Sequence, residues 1–379
     1  MSVTNAPDLE SAVDELISRR QPPALHFQPV VDLHRLRVVG YEALSRFPGP
    51  LQATPDRWFA AAQRIDREVE LEALVIEQAI PKQDLLGENQ LLGVNVSPAA
   101  IQSDEVRRVL HKAPLSRLIF ELTEHDSVRD YDLLTRAVAD IRAMGGFVAV
   151  DDAGAGYSNF HHILKIRPDF VKLDRSIITD LQSEDARVAL VEMFSSFSSK
   201  INSWLVVEGI EEPGELRLLR ELGIPLGQGY LLGAPAPSMN GIDPALAEQF
   251  PPPTSGHGDT IGELSVSAPT APSDADDATL IALLAQHPDR PGVVLVDAAT
   301  RPTGLVLRDG TGAITRRHNP LIVDGSTSTS DALVQAMRRP VETRFDPLVC
   351  RDGDGKCCGI ATLMSMVPGG PDATAPRLG

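Results

Sequence analysis

The sequence has few cysteines, and their positions exclude the usual cysteine-based frameworks. Only three of its 379 residues are cysteine, and Cys350, Cys357 and Cys358 all lie near the C-terminus. Their spacing matches no zinc pattern, and an odd number does not suit a disulfide framework. We therefore expect reduced thiols, with redox sensing by the vicinal pair Cys357 and Cys358 as the alternative.

Positive charge and long apolar runs are also scarce. Lysine and arginine number 35 against 52 aspartates and glutamates, so the net charge is −17. This charge argues against long-range attraction to DNA, RNA or anionic lipid. No run reaches the roughly 18 apolar residues of a membrane span, and the first stretch, MSVTNAPDLESAVDELISRR, lacks the apolar core of a signal peptide. We expect a cytoplasmic protein without membrane insertion.

Composition divides the chain into five parts. Residues 1–23 are predicted as an N-terminal helical segment, 24–248 as the main α/β domain and 249–277, rich in Pro, Ser and Gly, as a linker. Residues 278–368 are predicted as a second, smaller α+β domain, and 369–379 as a disordered tail. The second domain contains a weak repeat of a helix followed by a hairpin, a type of unit that usually packs against its copy. Its predicted elements are the helix Leu280–Gln286 with strands Val293–Asp297 and Gly304–Leu307, then the helix Ala332–Met337 with strands Leu348–Asp352 and Gly359–Thr362.

The main domain alternates short apolar strands with helical patterns such as Leu133–Met144 and Arg187–Ile201. A polar turn over Asp32–Arg37 suggests that the first two strands form a hairpin. This alternation predicts an α/β barrel or a doubly wound sheet. The predicted strands are Leu25–Val31, Val38–Leu44, Leu91–Val96, Arg117–Leu122, Phe147–Val150, Phe170–Leu173, Leu205–Val207 and Gly229–Leu232.

Polar residues at the strand ends favour the barrel. Six predicted strands each have one such residue, which we place at or just beyond the C-terminal end of the strand. Only a barrel brings these ends together on one face. The six residues are Asn95, Glu121, Asp151, Lys172, Glu208 and Gln228.

The carboxylates among the strand-end residues predict a divalent-metal centre. Glu42, Glu121, Asp151, Asp152 and Glu208 would repel one another at one dry site unless multivalent cations held them ionised. Carboxylate and amide oxygens suit Mg²⁺ or Mn²⁺, and a pair of ions about 3.5 to 4 Å apart suits in-line displacement at phosphorus. The competing interpretation is that each is a solvated strand-end acid.

Three further residues have plausible roles beside such a centre. Lys172 can orient or activate an attacking water, or it can form a simple ion pair with Asp174 or Asp152. Arg46 can bind a phosphate with its forked donors or form a surface salt bridge. Gln28 can hydrogen-bond a base or phosphate, or pack at a strand end.

The strings YEALSR, VNVSP, ELTE, DDAGAGYS, FVKLD, VEGIEE and GQGY follow one another between residues 20 and 240. Their order and spacing resemble those of the EAL family of cyclic di-GMP phosphodiesterases, and the resemblance covers most of residues 20–240. The resemblance implies a TIM-like (β/α)8 barrel whose first strand is antiparallel, and hydrolysis of cyclic di-GMP to linear 5′-pGpG. It also implies a homodimer.

The same resemblance implies a role for each site residue. Two Mg²⁺ or Mn²⁺ ions would lie among Glu42, Asn95, Glu121, Asp151 and Asp152. Lys172, Glu208 and Glu42 would be catalytic, while Gln28, Arg46, Gln228 and Asp174 would bind substrate. Glu124 would anchor the loop after Asp152, and Glu211 would support the site.

The sequence departs from the family in that loop. The family usually has Asp-Asp-Phe-Gly-Thr-Gly, but Ala153 and Ala155 replace the aromatic and the hydroxyl residue. Loss of these anchors can slow turnover without abolishing binding. We expect an active but slow or regulated enzyme; the rival function is a receptor that binds cyclic di-GMP and signals through protein partners, and a scaffold without ligand is a third reading.

The C-terminal domain resembles a pair of CBS motifs, through VVLVDAATRPTGLVLRDG and PLVCRDGDGKCCGIATLMSM. That resemblance implies an adenine-nucleotide site that modulates the barrel. Thr362 is present at the strand-to-helix step, but no Asp follows it shortly. Dimerisation or docking is the equal alternative.

Overall fold

The structure is a computed structural model that describes residues 8–47, 53–87, 90–122, 130–154, 159–251, 260–288, 290–308, 313–337, 339–340, 343 and 346–362. The chain divides into two compact units. The first comprises Met1–Leu219 and Ile224–Phe250, and the second comprises Arg220–Gly223 and Pro251–Gly379. Among the described residues, no helix has both the length and the apolar character needed to cross a membrane.

The first unit is a closed eight-stranded barrel, as the sequence predicts. Strands β2 to β8 run parallel, while β1 pairs antiparallel with β2 and with β8. The strands are β1 (Ala24–Asp32), β2 (Arg37–Arg46), β3 (Leu91–Val96), β4 (Leu118–Leu122), β5 (Phe147–Ala153), β6 (Phe170–Leu173), β7 (Trp204–Val207) and β8 (Leu226–Gly227).

Helices surround the barrel because their apolar faces must be buried against it. They are α1 (Leu9–Ser18), α2 (Pro55–Arg64), α3 (Glu68–Ala79), α4 (Pro98–Ile101), α5 (Asp104–Leu110), α6 (Tyr131–Ala143), α7 (Asn159–Ile166), α8 (Arg175–Ile178), α9 (Asp185–Lys200), α10 (Pro213–Glu221) and α11 (Pro244–Gln249), with 3₁₀ turns at Ile80–Leu85 and Leu181–Ser183. The N-terminal helix α1 belongs to the barrel unit, since Val13 and Leu16 pack in one cluster with Trp58 and Leu71.

The last barrel strand lies earlier in the chain than the sequence suggests. We predicted a strand over Gly229–Leu232, but β8 is Leu226–Gly227. After it the backbone turns on itself, because the amides of Leu232 and Gly233 both donate to the carbonyl oxygen of Gly229 at 3.0 Å. The apolar pair Leu231 and Leu232 mimics a strand, yet it belongs to a turn.

The second unit holds two small sheets. One has the order β12-β11-β10-β9 and the other the order β13-β14-β15. Its elements are α12 (Ile261–Leu264), β9 (Thr270–Pro272), α13 (Asp277–Gln286), β10 (Val293–Val296), β11 (Pro302–Arg308), β12 (Ile314–Arg317), β13 (Ile322–Asp324), α14 (Thr329–Met337), β14 (Leu348–Arg351) and β15 (Cys357–Ala361).

The predicted linker over residues 249–277 overlaps folded structure. It contains α12 and β9, and β9 pairs in parallel with β10. Prolines and few apolar residues concealed β9, because its stability comes from the partner strand rather than from its own sequence. The folded part of the second unit therefore includes residues before 278.

The two hairpins of the second unit repeat with a spacing of 55 residues. The pairs Val293 with Val306 and Leu348 with Ala361 are equivalent, and each hairpin has a bulge three residues after its first pair. Asp297 and Asp352 begin the two turns, and each carboxylate accepts from the amides two and four residues later. The predicted weak repeat is thus regular in its hydrogen bonding.

Candidate metal centre

A cluster of buried polar side chains lies at the C-terminal ends of the barrel strands, and Lys172 is at its centre. The ammonium nitrogen of Lys172 lies 2.6 Å from Glu121 Oε2 and 2.7 Å from Glu208 Oε1. It also lies 3.2 Å from Asp151 Oδ1 and 3.3 Å from Glu42 Oε2. Only 3% of Lys172 is exposed. Side chains from β2, β4, β5 and β6, and from the segment after β7, therefore meet around one cation.

Two amides hold the carboxylate of Glu42. Asn95 Nδ2 donates to Glu42 Oε1 at 2.8 Å, and Gln228 Nε2 donates to Glu42 Oε2 at 2.8 Å. Gln228 Nε2 also donates to Glu208 Oε1 at 3.0 Å. Asn95 belongs to β3 and Gln228 directly follows β8, so two separate strands of the barrel fix the orientation of Glu42.

Two overlapping groups of carboxylates have the spacing of metal ligands. Oxygens of Glu42, Glu121 and Asp151 lie within 4.8 Å of one another, and so do oxygens of Asp151, Asp152 and Glu208. Asp151 belongs to both groups. Asp152, near the end of β5, has a positive φ of 55°, so the backbone is not extended there. The side chains of Asp151 and Asp152 are therefore not forced to opposite faces of the sheet, as neighbours in a regular strand are. The arrangement suits two cations that share Asp151.

Burial and mutual repulsion perturb the acids. Burial raises the pKa of Glu121 well above its ordinary value, and Glu42 and Asp151 add to that rise against the opposing effect of Lys172. Burial likewise raises the pKa of Asp151, and it raises the pKa of Glu208 to about 8. Glu42 differs: burial favours its neutral form, but Lys172, Gln228 and Asn95 together lower its pKa.

One lysine does not balance this set of acids. Burial disfavours the ammonium, yet Asp151, Glu121, Glu208 and Glu42 together raise the pKa of Lys172 well above its ordinary value, so it stays charged. The pKa of Glu121, Asp151 and Glu208 is nevertheless raised, and divalent cations at this site would lower it again by stabilising the ionised carboxylates.

An unpaired buried oxygen gives a second sign of a missing partner. Gln228 is 5% exposed, and its Oε1 has no hydrogen-bond partner among the described residues. A buried amide oxygen without a hydrogen-bond partner costs free energy, so such an atom usually accepts a hydrogen bond or binds a cation. Hard oxygen donors, excess negative charge and this free acceptor fit divalent cations together with a polar substrate.

The other predicted site residues lie at varied positions. Gln28 pairs with Glu42 in the β1–β2 register, and its Nε2 donates to the carbonyl oxygen of Gly233 at 3.3 Å. Arg46 ends β2, where its Nη1 donates to the Ser45 carbonyl oxygen. Among the described residues, Arg46 has no carboxylate partner.

Asp174 and Glu211 have local partners. Asp174 caps α8 by accepting from the Ser176 amide at 2.9 Å. Glu211 accepts from Arg175 Nη2 at 2.6 Å. Glu124 lies outside the described residues, so the structure says nothing of its predicted anchoring role.

The barrel unit matches a known protein family. The family model for the EAL domain matches residues 10–235, which is more than half of the chain. The chain belongs to the EAL domain family.

Curated relatives and a solved structure share this part of the chain. A probable cyclic di-GMP phosphodiesterase of Escherichia coli K12, PdeN, is 27% identical over 231 residues, covering 58% of this chain and 44% of PdeN. The cyclic di-GMP phosphodiesterase NbdA of Pseudomonas aeruginosa is 31% identical over 225 residues, covering 56% of this chain and 29% of NbdA. The PaMucR phosphodiesterase in complex with c-di-GMP superposes with a TM-score of 0.54 at 29% identity, covering 61% of this chain and 98% of that chain. The chain spans less than half the length of the curated relatives it matches.

Two residues near the site were missed by sequence reasoning. Arg175 forms the ion pair with Glu211. Glu72 on α3 is buried, and its carboxylate accepts from the Ser97 amide at 2.6 Å. The sequence carried little signal for Glu72, because α3 contains four glutamates and only the fold distinguishes the buried one.

Proposed function

We propose that this chain hydrolyses one phosphodiester bond of cyclic di-GMP and releases the linear dinucleotide 5′-pGpG. The observation that carries the proposal is the pair of overlapping carboxylate groups sharing Asp151 around Lys172. The family adds support, since NbdA is named as a cyclic di-GMP phosphodiesterase, PdeN as a probable one, and the PaMucR structure as a phosphodiesterase in complex with c-di-GMP.

Two Mg²⁺ or Mn²⁺ ions would be held by Glu42, Asn95, Glu121, Asp151 and Asp152. Such ions supply Lewis-acid stabilisation of the charge that develops on the phosphoryl oxygens and the attacking oxygen. At neutral pH the pKa of Glu208, about 8 because of burial, leaves a proton on that carboxyl in the metal-free protein. Cation binding then has to displace protons from the cluster, so metal affinity rises with pH up to that range.

The side chains of the chain itself orient the reactants. Lys172, the only described cation inside the cluster, can hydrogen-bond the attacking water and offset the negative charge that develops on it. Glu208 and Glu42 lie within 3.3 Å of the ammonium. Glu42 can accept the proton of that water, and so can Glu208 once bound cations have displaced its own proton. Gln228 Oε1, free of any described partner, can accept from the water or from substrate.

Substrate binding would involve Gln28, Arg46, Gln228 and Asp174. Arg46 offers a forked donor to a phosphate, because no described carboxylate engages it. Glu211 would support this face through its ion pair with Arg175. Glu124 would anchor the loop that follows Asp152.

A product assay tests the proposed function. Purified protein incubated with Mn²⁺ or Mg²⁺ and cyclic di-GMP should yield linear 5′-pGpG on chromatography, and Glu42→Ala should yield none while its circular dichroism stays native. Glu248→Ala, at an exposed position of α11, serves as the control variant. Tight binding of cyclic di-GMP with no linear product under either metal would reject hydrolysis and favour the receptor function.

The second unit would modulate this reaction as a CBS-pair-like domain. The 55-residue repeat of its hairpins supports a paired module. A cavity of about 480 Å³ lies within this unit, lined by Arg301 and Arg351 together with Asp324 and the 352–355 turn. Adenine nucleotides are the proposed ligands, and repeating the product assay with AMP or ATP tests them. A rate that neither nucleotide changes, with no thermal shift, would favour a dimerisation or docking role.

The barrel would form a homodimer through α7 and α9. Apolar side chains are exposed on both helices: Phe160 and Leu164 on α7 are 40% and 58% exposed, and Leu190 and Met193 on α9 are 38% and 43% exposed. Phe160 packs against Phe194 with ring centroids 5.4 Å apart, so the two helices form one surface. Contiguous apolar surfaces of this kind commonly mark protein interfaces.

Leu164→Glu is expected to weaken the dimer by at least about tenfold, because a charge would be buried in the apolar contact. Sedimentation equilibrium of the wild type and variant measures this. Leu85→Glu is the matched control, since Leu85 is 66% exposed on a 3₁₀ turn away from this pair of helices. A Leu164→Glu protein that associates as strongly as wild type would contradict the proposed surface.

A further inference from the structure

A buried carboxylate outside the metal cluster holds the loop that follows Asn95. Glu72 lies on α3 and Ser97 lies one residue after the end of β3, and each is 5% exposed. Glu72 Oε2 accepts from the Ser97 amide at 2.6 Å. A charge-assisted bond of this length between buried groups strongly constrains the position of the backbone.

The backbone at Ser97 is close in the chain to a residue of the metal cluster. Ser97 is two residues from Asn95, whose amide donates to Glu42 Oε1 at 2.8 Å. Ser97 also caps α4, since its hydroxyl oxygen accepts from the Ala100 amide at 3.1 Å. One end of this segment is therefore fixed by α3 and α4, and the other end supplies a ligand of the cluster.

A local stabilising role does not require a charged acceptor. A neutral amide or hydroxyl oxygen could also accept the Ser97 N–H. The anion gives a shorter and stiffer hydrogen bond, which matters where a side chain two residues away must keep its geometry within a fraction of an ångström.

We propose that Glu72 is a positioning residue of the metal centre, which acts through the Ser97 amide to fix the amide of Asn95 for divalent-cation binding. The inference deepens the proposed function and rests on it for the identity of the site. Groups that orient metal ligands from outside the coordination shell typically change metal affinity by about 10- to 100-fold.

Mn²⁺ binding to the whole metal-free protein tests the proposal, with free Mn²⁺ measured by electron paramagnetic resonance. Glu72→Ala is expected to weaken Mn²⁺ binding by about tenfold, and Glu72→Gln, which keeps an acceptor oxygen but loses the charge, should show a smaller loss of about threefold. Gln83→Ala is the control for ordinary destabilisation. Gln83 is also buried, and its side chain makes one hydrogen bond to loop backbone, with the carbonyl oxygen of Pro114 at 3.0 Å.

A second pair of variants tests the same bond from the other side. Ser97→Pro removes the N–H donor at a φ of −74° that proline adopts, whereas Ser97→Ala removes only the cap of α4. We expect Ser97→Pro to reproduce the affinity loss of Glu72→Ala, and Ser97→Ala to retain near wild-type affinity. If Glu72→Ala does not fold, these two Ser97 variants still test whether the hydrogen bond between Glu72 and Ser97 supports Mn²⁺ binding.

The outcomes separate this inference from the proposed function. If wild-type protein binds Mn²⁺ but makes no linear dinucleotide, the proposed function is wrong. The Mn²⁺ affinities of wild type and the Glu72 variants can still be compared in that case. Wild-type Mn²⁺ affinity in Glu72→Ala, or an equal loss in Gln83→Ala, overturns the positioning role.

Discussion

Lys172→Met is expected to reduce turnover of cyclic di-GMP by about 10²- to 10⁴-fold while leaving Mn²⁺ binding at least as tight as in wild type. Methionine keeps most of the volume of lysine but has no charge and no donor. The ammonium of Lys172 lies within 3.3 Å of four carboxylates, so it competes with any cation for the same oxygens. Its removal lifts that competition and also removes the group proposed to orient water.

The same substitution should destabilise the metal-free protein. Removing one partner of a buried ion pair typically costs about 3 to 5 kcal/mol, because the remaining charges are left uncompensated. Mn²⁺ should therefore raise the melting temperature of Lys172→Met more than that of wild type. Calorimetry with and without Mn²⁺, together with turnover at saturating substrate, measures both effects.

Lys200→Met is a suitable control, since Lys200 is an exposed lysine at the end of α9. If Lys172→Met loses Mn²⁺ binding along with turnover, Lys172 is a structural hub of the cluster and not a group acting on the water. If it keeps wild-type turnover, the proposed role of Lys172 is wrong.

Gly229→Ala should destabilise the barrel by about 3 kcal/mol and depress turnover, because no side chain fits at this position. A Cβ at Gly229 would overlap the backbone nitrogen and carbonyl oxygen of Ile210. The same contact carries two hydrogen bonds, from the Ile210 amide to the Gln228 carbonyl oxygen at 3.0 Å and from the Leu231 amide to the Ile210 carbonyl oxygen at 3.1 Å. Relief of the overlap separates these segments and breaks both bonds.

The effect on turnover follows from what these segments carry. Glu208 precedes Ile210 by two residues and Gln228 precedes Gly229, and the two side chains meet at 3.0 Å. Denaturant unfolding and turnover of Gly229→Ala should be compared with Gly241→Ala, where an added Cβ meets nothing within 4 Å. Equal behaviour of the two variants would show that the contact between Gly229 and Ile210 does not hold the site together.

The barrel could be predicted from the sequence because its strands are apolar, short and regularly separated. β3 and β6 have the predicted bounds, Leu91–Val96 and Phe170–Leu173, since every residue but one in them is buried or nearly so and polar residues end each run. The strand predicted at Gly229–Leu232 was wrong, because two leucines in a turn have the same local pattern as two leucines in a strand. β9 was missed because a neighbouring strand, and not its own sequence, maintains it.

The cluster was predictable in its members but not in its arrangement. Strand-end position identified Asn95, Glu121, Asp151, Lys172 and Glu208, whereas Gln228 lies at a strand end only because β8 is Leu226–Gly227 and not the predicted Gly229–Leu232. The barrel brings all six residues together. The sequence could not show that Lys172 contacts four acids, because Glu42, Glu121 and Glu208 are distant from it in the chain. The ion pairs described for Lys172 involve these three and Asp151, rather than the predicted partners Asp174 or Asp152. Nor could it reveal Glu72, whose role depends on contact between α3 and the end of β3.

Diffraction data recorded at the manganese absorption edge, from a crystal of the protein grown with Mn²⁺, would show whether Asp151 is shared by two cations. We expect two anomalous peaks about 3.5 to 4 Å apart, both in contact with Asp151, with Glu42 and Glu121 at one ion and Asp152 at the other. Peaks only at surface carboxylates, with Lys172 still bound to all four acids in the presence of saturating Mn²⁺, would contradict this expectation.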